Sequence, residues 1–337
     1  MNKILVLAAV ALLALGGCDS GGTGGAASGG KPKVAYVSNG IDPFWNVAAA
    51  GAKAGAKEFN ADVEILFPKD LGDQKQMIEG LLVRGIDGIA ISPIDATNQA
   101  GFIEEAGKKT NIITHDSDAP ASKRLCFVGM DNYKAGRAAG KLVKEILPEG
   151  GKIMIFVGRL EQLNAQQRRQ GVVDEVLDRP LQALDALKYD PNTSEIKGGK
   201  FTVVSTRTDG FDYAKAKSNA EDAMTSTPDL ACMVGLFAYN APMCLEAIKG
   251  ANKIGKIKVV SFDEQDATLQ GIKDGAVHGT VSQQPYQYGR HSVRILAGLA
   301  RKDKSVLPAN GFLEVEIKVV KRDNVDAFWD ELKKLRQ

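Results

Sequence analysis

Apolar runs rich in Val and Ile alternate with longer segments of helical period from Lys33 onward. This alternation is typical of parallel β-sheets covered by helices. Strands are predicted at 33–38, 62–67, 86–91, 111–115, 125–128, 151–157, 201–206, 230–236, 257–262, 278–282 and 312–319. So many strands do not fit one sheet, because a single core rarely grows much beyond about 250 residues. The pattern therefore predicts an α/β protein with two doubly wound parallel-sheet lobes.

Two segments do not follow this alternation of strands and helices. Residues 179–200 carry Pro180, Pro191, Gly198 and Gly199, which indicates an excursion over the surface. Residues 321–337 predict an amphipathic helix with Asp323 at its N-cap. Its apolar face consists of Val325, Phe328, Trp329, Leu332 and Leu335. We expect this stripe to pack on the body of the protein, with binding to a partner as the alternative.

The first residues read as a targeting segment. Lys3 precedes an apolar run that is too short to span a bilayer, and Leu15-Gly16-Gly17 lead to Cys18. Residues 1–18 resemble a bacterial lipoprotein signal peptide, in which Cys18 becomes the lipidated N-terminus; the alternative is an ordinary secretory signal. Residues 19–31 are rich in Gly and Ser and predict a flexible tether. We therefore expect a lipid-anchored protein on the periplasmic or cell-surface side of the cytoplasmic membrane.

Composition and charge narrow the class of protein. The chain has 337 residues, of which 44% are hydrophobic and 25% charged, as in ordinary globular proteins. The net charge of +2 is spread over 43 basic and 41 acidic residues without a basic block. This distribution argues against a nucleic-acid partner.

Three cysteines remain beyond the leader: Cys126, Cys232 and Cys244. An odd number does not make a complete disulfide framework, so we expect buried thiols. A bridge between Cys232 and Cys244 stays open, since the two fall on a predicted strand and the following helix.

Catalytic and metal-binding patterns find little support. No two of His115, His278 and His291 have the spacing of a zinc-binding helix, and there is no C-x-x-C pair. No G-x-S-x-G elbow occurs, and Gly136 to Lys141 lacks the spacing and the hydroxyl of a phosphate-binding loop. His115 next to Asp116 leaves a base with its orienting carboxylate as the alternative. We expect no catalytic residue, no metal site and no cofactor, and therefore not an enzyme.

Polar and aromatic residues follow the predicted strands, where doubly wound sheets bind their ligands. Carboxylates, amides, a guanidinium and flat aromatic rings suit a polyhydroxylated ring, whose hydroxyls donate and accept while its C–H faces are apolar. The residues at these ends include Asp42-Pro43-Phe44-Trp45, Ser92-Pro93, Asp116-Ser117, Asn164 to Arg168, Phe211, Asn240, Asp263 and Gln283.

The motifs at these ends have a familiar order. They run Asp-Pro-Phe-Trp (42–45), Ser-Pro (92–93), Thr-His-Asp-Ser (114–117), Gly-Met-Asp-Asn (129–132), Phe-Ala-Tyr-Asn (237–240), Val-Val-Ser-Phe-Asp (259–263) and Thr-Val-Ser-Gln-Gln-Pro (280–285). Together they resemble the type I periplasmic sugar-binding proteins, in particular the ribose-binding branch, over nearly the whole chain after Gly30.

The resemblance implies two lobes joined by three hinge segments, with a sugar bound between them. The first lobe would comprise 32–130 and 284–311, and the second 131–283 and 312–320. The candidate ligand contacts that it implies are Asp42, Phe44, Trp45, Ser92, Asp116, Ser117, Gln166, Arg168, Phe211, Asn240, Asp263 and Gln283.

Several of these positions keep alternatives. Asp42, Ser92 and Ser117 stand where the family often has Asn, Asn and Arg, so we expect a monosaccharide rather than ribose itself. Gln166 competes with Arg168 for one position. Three further readings concern single motifs: Phe44 with Trp45 as a hydrophobic staple, Asn240 as a helix cap, and 162–169 as a solvated helical face.

The expected function is the capture of a pentose or hexose by hinge closure and its delivery to an ABC transporter permease. The alternative is a binding protein that reports a sugar to a chemoreceptor or sensor kinase. A transcription regulator with the same double-lobed core would require an N-terminal helix-turn-helix, where this chain has a leader. We expect a monomer whose contact with the membrane is the lipid anchor alone.

Overall fold

The structure, a computed structural model, describes residues 30–336. The predicted signal peptide, Cys18 and the tether up to residue 29 lie outside the described residues. The strands are β1 (Lys33–Val37), β2 (Asp62–Leu66), β3 (Gly88–Ile91), β4 (Asn111–His115), β5 (Phe127–Gly129), β6 (Gly151–Val157), β7 (Ile196–Gly198), β8 (Phe201–Thr208), β9 (Leu230–Gly235), β10 (Lys258–Phe262), β11 (Gly279–Ser282), β12 (Phe312–Glu314) and β13 (Lys318–Val320). The α-helices are α1 (Phe44–Glu58), α2 (Leu71–Val83), α3 (Ala100–Gly107), α4 (Asn132–Ile146), α5 (Leu163–Val176), α6 (Tyr213–Ser226), α7 (Asn240–Gly250), α8 (Asp266–Lys273), α9 (Pro285–Ala300) and α10 (Val325–Leu335). None of these helices is long and apolar enough to cross a membrane.

Two sheets form the two lobes. The first has six parallel strands in the order β12-β5-β4-β3-β1-β2. The second has the order β13-β11-β10-β9-β6-β8-β7, in which the outermost strands β13 and β7 run antiparallel to their neighbours. Strand β3 reads GIAI and is buried throughout, as expected where helices cover both faces of a parallel sheet. The prediction of two doubly wound lobes is confirmed.

Strand order reverses once in each sheet, between β1 and β3 in the first and between β6 and β9 in the second. The chain leaves the sheet in opposite directions on the two sides of such a point, which opens a crevice at the carboxyl ends of the strands. The topology therefore directs attention to the residues that follow these four strands.

The chain passes between the two sheets three times, at residues 130–131, 283–284 and 315–317. The prediction of a single strand at 312–319 was wrong, because β12 pairs with β5 while β13 pairs with β11. Residues 312–314 therefore lie in the first sheet, not in the second lobe to which we assigned 312–320. Alternating apolar residues predict extended backbone, but they do not reveal which sheet each half of the run joins.

The segment 179–200 lies on the surface of the second lobe and contains β7, which the sequence analysis missed. Strand β7 pairs antiparallel with β8 at the edge of the sheet. The guanidinium of Arg169 holds the segment in place by donating to Thr206 Oγ1 at 2.7 Å and to the carbonyl oxygens of Asp190 and Pro191 at 2.9 and 2.6 Å.

Helix α10 packs on the second lobe, as predicted. Val325 and Leu332 belong to its hydrophobic core, and Phe328 and Trp329 lie partly buried against that core. The helix begins after Asn324 and not at the predicted cap Asp323. The Asn324 side chain is instead bonded to the backbone that precedes the helix.

Helices α4 and α5 approach each other unusually closely. A Cβ atom on Gly136 would lie 2.1 Å from the carbonyl oxygen of Arg168, and one on Gly171 would lie 2.2 Å from that of Tyr133. Only glycine permits such a close approach of two backbones. The pair of glycines therefore fixes the position of α5 and of the arginine that it carries.

The three cysteines of the described residues are buried and free, so the Cys232 to Cys244 bridge does not form in the structure. Burial raises the pKa of Cys232 to about 12, which keeps its thiol protonated and unreactive at neutral pH.

Candidate ligand-binding cleft

A cleft lies between the two lobes at the carboxyl ends of their strands. It holds about 350 Å³ of space that no atom fills, part of which is continuous with solvent. We call the residues contributed by the first lobe the first wall: Asn39, Asp42, Phe44, Trp45 and Asp116. The second wall consists of Gln162, Asn164, Arg168, Phe211, Phe237, Ala238, Tyr239, Asp263 and Gln283.

Asp116 is the charged centre of the first wall. Its Oδ2 accepts hydrogen bonds from Asn39 Nδ2 at 3.3 Å and Ser92 Oγ at 3.0 Å, both from the same lobe. A third bond comes from Asn164 Nδ2 across the cleft, at 3.2 Å. Burial raises the pKa of Asp116 to about 6, although Arg168 and the hydrogen bonds oppose this effect.

Asp116 and Asp263 share an uncommon backbone conformation. Each directly follows a strand, and their φ angles are 57° and 65°, in the left-handed region that Asp tolerates better than most residues. The backbone N–H of Asp116 still donates to Val128 O at 3.0 Å, and that of Asp263 to Val281 O at 2.9 Å. The chain therefore turns at the strand end while it remains bonded to the sheet.

Phe44 and Trp45 give the first wall an aromatic surface. Their rings meet edge to face, with centroids 4.9 Å apart and planes at 84°. Trp45 is 4% exposed and belongs to the core of the first lobe, while Phe44 is partly buried. Both nevertheless line the cleft. The two interpretations, a hydrophobic staple and a cleft lining, are therefore compatible, because Trp45 packs in the core and lines the cleft at the same time.

Asp42 connects the two lobes at the cleft mouth. Its Oδ1 accepts from the backbone N–H of Phe44 at 2.8 Å and caps the first turn of α1. Its Oδ2 accepts from the hydroxyl of Tyr213, on the other lobe, also at 2.8 Å. Both carboxylate oxygens thus have protein partners, and burial raises the pKa of Asp42.

Arg168 organises the second wall. It is 1% exposed, and its Nε donates to Asn132 Oδ1 at 2.9 Å, its Nη1 to the carbonyl of Leu236 at 3.1 Å and its Nη2 to Gln283 Oε1 at 2.8 Å. Nη2 also lies 3.8 Å from Asp116 Oδ1 across the cleft. The guanidinium thus ties α4, α5 and two strand ends into one network.

Asp263 joins this network through Gln283, whose Nε2 donates to Asp263 Oδ1 at 2.7 Å. Burial raises the pKa of Asp263 well above its ordinary value, and the charge of Arg168 partly offsets this effect. The second oxygen of Asp263 has no hydrogen bond among the described residues. Like Oδ1 of Asp116, it is left available to a ligand that donates hydrogen bonds.

The second wall has its own aromatic surface. Phe211 stacks on Phe237 with centroids 5.6 Å apart and planes at 20°, and Tyr239 lies 6.0 Å away. The φ angle of Phe211 is 71°, a strained conformation for a bulky residue. The carboxylate of Asp209 accepts from the Phe211 N–H at 2.9 Å and from the Tyr239 hydroxyl, and so holds this turn.

Eight of the twelve predicted contacts line the cleft; Ser92, Ser117, Gln166 and Asn240 do not. Ser92 lies behind Asp116 and donates to it, and Ser117 is fully buried. Gln166 faces a separate surface groove, with its Nε2 bonded to Leu160 O at 2.6 Å. Of the two residues that competed for one position, the structure places Arg168 and not Gln166 in the cleft.

Asn240 lies behind the second wall. Its Oδ1 accepts from the backbone N–H of Phe237 at 3.0 Å, and its Nδ2 donates to Asp209 Oδ2 at 2.9 Å. It therefore supports the turn that carries the aromatic residues.

Sequence reasoning missed six lining residues: Asn39, Gln162, Asn164, Phe237, Ala238 and Tyr239. Phe237 to Tyr239 directly precede Asn240, so the prediction chose the right turn and the wrong residue in it. Asn39 directly follows the predicted strand 33–38 and had the same signal as the other strand ends. Gln162 lies in the loop between β6 and α5, where the sequence gives no register.

The alternative of a catalytic base at His115 is not supported by its geometry. His115 is fully buried outside the cleft lining, stacked on Tyr36, with its Nε2 3.0 Å from the carbonyl of Val37. Burial lowers the pKa of its imidazole to about 3, so the ring is neutral. Among residues 30–336, no group of three or more His, Cys, Asp or Glu could hold a metal ion.

Comparison with known proteins identifies the family to which this sequence is similar. Residues 34–304 match the model of the periplasmic binding protein domain. The D-ribose/D-allose-binding protein of Pseudomonas aeruginosa is 27% identical over 269 residues, which cover 75% of this chain and 77% of that protein. The ribose import binding protein of Bacillus subtilis is 27% identical over 257 residues, covering 75% of this chain and 76% of that protein. Among solved structures, the arabinose-binding protein AraP of Geobacillus stearothermophilus superimposes with a TM-score of 0.68 at 27% identity, over 88% of this chain and 99% of that one.

Proposed function

The chain belongs to the periplasmic binding protein family, and we propose that it captures a monosaccharide in the cleft between its two lobes. Closure of the hinge would enclose the sugar, a motion known for proteins of this class. The proposal covers pentoses and hexoses, since relatives with the cited names bind or import ribose, allose and arabinose.

One observation carries the proposal: two buried carboxyl groups, one from each lobe, face the same cleft between aromatic rings. Asp116 and Asp263 each keep one oxygen without a hydrogen bond among the described residues. Sugar hydroxyls donate to such oxygens, and hydrogen bonds to charged groups contribute about 1.5 to 3 kcal/mol each. Phe44 and Trp45 on one side and Phe211 on the other would cover the apolar C–H faces of the ring.

Of the three remaining predicted contacts that line the cleft, Arg168 and Gln283 would act mainly by positioning. Three of the five N–H groups of Arg168 donate to the protein, and both polar atoms of Gln283 are bonded. Asp42 would close the cleft mouth through its hydrogen bond to Tyr213. These residues would hold the acceptors of Asp116 and Asp263 in place for the ligand.

We further propose that the closed form delivers the sugar to an ABC transporter permease. Two lobe surfaces at a fixed spacing form a signal that a membrane protein can recognise, and the Bacillus subtilis relative is named as an import protein. The chain would act as a monomer outside the cytoplasm, with Cys18, which lies outside the described residues, as its lipid anchor.

A thermal-shift screen tests the binding proposal directly. The purified protein is heated with D-ribose, D-allose, D-arabinose, D-fructose, D-tagatose and D-fucose, and with glycerol and L-glutamate as controls. A bound sugar at a hundred times its Kd stabilises the folded protein by about 2.7 kcal/mol, which is a shift of a few degrees. The absence of a shift with every sugar, or an equal shift with L-glutamate, would contradict the proposal.

Tryptophan fluorescence tests the place of binding. The chain has two tryptophans, Trp45 in the cleft and Trp329 on α10. In a Trp329→Phe variant the sugar that binds should change the remaining emission, because its ring would lie against Trp45. An unchanged spectrum at saturating sugar would remove Trp45 from the site.

A further inference from the structure

Gln162 is the one glutamine of the cleft whose amide group is not bonded to the protein. It lies in the loop before α5, lines the cleft and is 1% exposed. Neither its Nε2 nor its Oε1 has a hydrogen-bond partner among the described residues. Buried polar groups are nearly always bonded, so this amide requires a physical explanation.

The other amides of the cleft differ in this respect. Asn39 donates to Ser92 and Asp116, Asn164 donates to Asp116 and accepts from the N–H of Ala165, and Gln283 is bonded at both atoms. Those amides position other groups. Gln162 lines the cleft, and its side chain bonds to no other group of the described residues, so both its donor and its acceptor are free.

We propose that Gln162 is a specificity-determining contact, whose amide is satisfied by a ligand hydroxyl in the closed protein. This inference rests on the proposed function, since it requires a sugar in the cleft. A hydroxyl matches the amide because it both donates and accepts, so one hydroxyl or two neighbouring hydroxyls can bond to Oε1 and Nε2.

The same amide makes closure depend on the ligand. Without a sugar, closing the cleft buries two polar atoms without partners and is therefore unfavourable. With a sugar that presents a hydroxyl at this place, both atoms are bonded. A sugar that lacks this hydroxyl restores the unfavourable state, and a site built around a hydroxyl rejects such analogues strongly.

Calorimetry with matched variants tests the inference. The sugar that gives the largest shift in the panel is titrated into the wild type, Gln162→Leu, Gln162→Glu and Gln166→Leu, and each monodeoxy analogue of that sugar is titrated in parallel. Gln166 is the control because it lies one helical turn further on, bonded to Leu160 O and outside the cleft lining.

The expected results distinguish the two variants of Gln162. Gln162→Leu should weaken binding of the parent sugar about tenfold to a hundredfold and should leave the melting temperature without sugar unchanged or raised, because the unsatisfied amide is gone. Gln162→Glu replaces the donor by an oxygen and adds a negative charge when it is ionised, so it should also weaken binding. For one monodeoxy analogue the wild type should bind poorly and Gln162→Leu should lose little further affinity. Gln166→Leu should bind like the wild type.

The outcomes separate the inference from the function on which it rests. If the wild type binds a sugar and both Gln162 variants bind it equally well, the inference is overturned while the proposed function stands. The same holds if every analogue loses affinity equally in the wild type and in Gln162→Leu. If no sugar of the panel binds to the wild type, the proposed function fails and the inference falls with it.

Discussion

Arg168 in the second wall donates hydrogen bonds to three groups of its own lobe and hinge, whereas Asp116 in the first wall receives a bond from across the cleft. The second wall is thus a network that one buried guanidinium holds together. The first wall has two local donors, Asn39 and Ser92, and is completed by Asn164 of the opposite lobe.

This difference between the two walls indicates different roles for them in folding and in binding. Arg168 keeps its three hydrogen-bond partners when the lobes separate, because Asn132, Leu236 and Gln283 move with it. Asp116 and Asp42 lose partners when the lobes separate, since Asn164 and Tyr213 belong to the other lobe. We therefore expect substitution of Arg168, which holds the second-wall network together, to affect mainly folding, and substitution of Asp116 or Asp42 to affect mainly binding.

The largest effect should follow from Arg168→Met. The substitution removes the cation between Asp116 and Asp263 and leaves the buried partners of the guanidinium unbonded. Breaking a buried charge network in this way costs about 3 to 5 kcal/mol of the free energy of unfolding, which denaturant unfolding measures.

Arg84→Met is the control for Arg168→Met. Arg84 forms an ion pair with Glu64 at 2.7 Å on the surface, where both side chains are more than 40% exposed. Its loss should cost about 1 kcal/mol or less. Equal losses of unfolding free energy in the two variants would show that Arg168 does not hold the second wall together.

Asp116→Ala should act mainly on binding. It removes an acceptor from the first wall and leaves the hydroxyl of a bound sugar unpaired, which weakens binding by about 2 to 5 kcal/mol. Calorimetry with the sugar from the panel measures the loss, and Asp62→Ala, at an exposed position on β2, serves as control. Wild-type affinity in Asp116→Ala would exclude Asp116 from the ligand contacts.

The pH dependence of stability isolates the charge of Asp116. Its pKa is about 6 in the folded protein and about 3.8 in the unfolded chain, so its protonated form stabilises the fold. This contribution is complete below pH 4, is lost as the pH rises from 4 to 6, and amounts to about 3 kcal/mol.

Asp116→Asn cannot ionise and therefore should not lose that contribution. Without sugar, the free energy of unfolding of the variant minus that of the wild type should increase between pH 4 and pH 6 and then stay constant. Denaturant unfolding at four pH values measures this difference. A difference that stays flat or falls over this range would mean that burial does not raise the pKa of Asp116.

The smallest effect should come from Tyr213→Phe. The variant keeps the ring that stacks on Tyr239 at 4.8 Å and loses the single hydrogen bond to Asp42 that joins the lobes. Because this bond forms only on closure, affinity for sugar should fall by about 0.5 to 1.5 kcal/mol. An unchanged affinity would show that closure does not depend on this contact.

Much of the fold could be predicted because parallel sheets leave a strong local pattern. Runs such as β6 and β10 are mostly apolar, and their limits in the structure differ from the prediction by a residue or less. The split between β12 and β13 could not be predicted, since it depends on which sheet each half of one extended run joins. The short β7 forms a hairpin with β8 across Gly199 and Lys200, but its three residues are too few to show the alternating pattern of a strand.

The cleft was partly predictable for the same reason. Asp116 and Asp263 follow strands directly, so topology brings each of them to the carboxyl edge of its own sheet, which faces the cleft. Gln162 and Asn240 show where this reasoning ends, because both lie in turns after strands but only Gln162 lines the cleft. The direction of a side chain in a turn depends on bonds to distant residues, as that of Asn240 to Asp209 shows.

The left-handed turns at Asp116 and Asp263 have a kinetic consequence. Each carboxyl group is positioned by the strand end of its own lobe, so it keeps its place in that lobe when the two lobes separate. A sugar can therefore bind first to either lobe without a rearrangement of that lobe. Its association rate would then be limited only by diffusion and orientation. The residence time of the bound sugar is then set by the rate at which the lobes open.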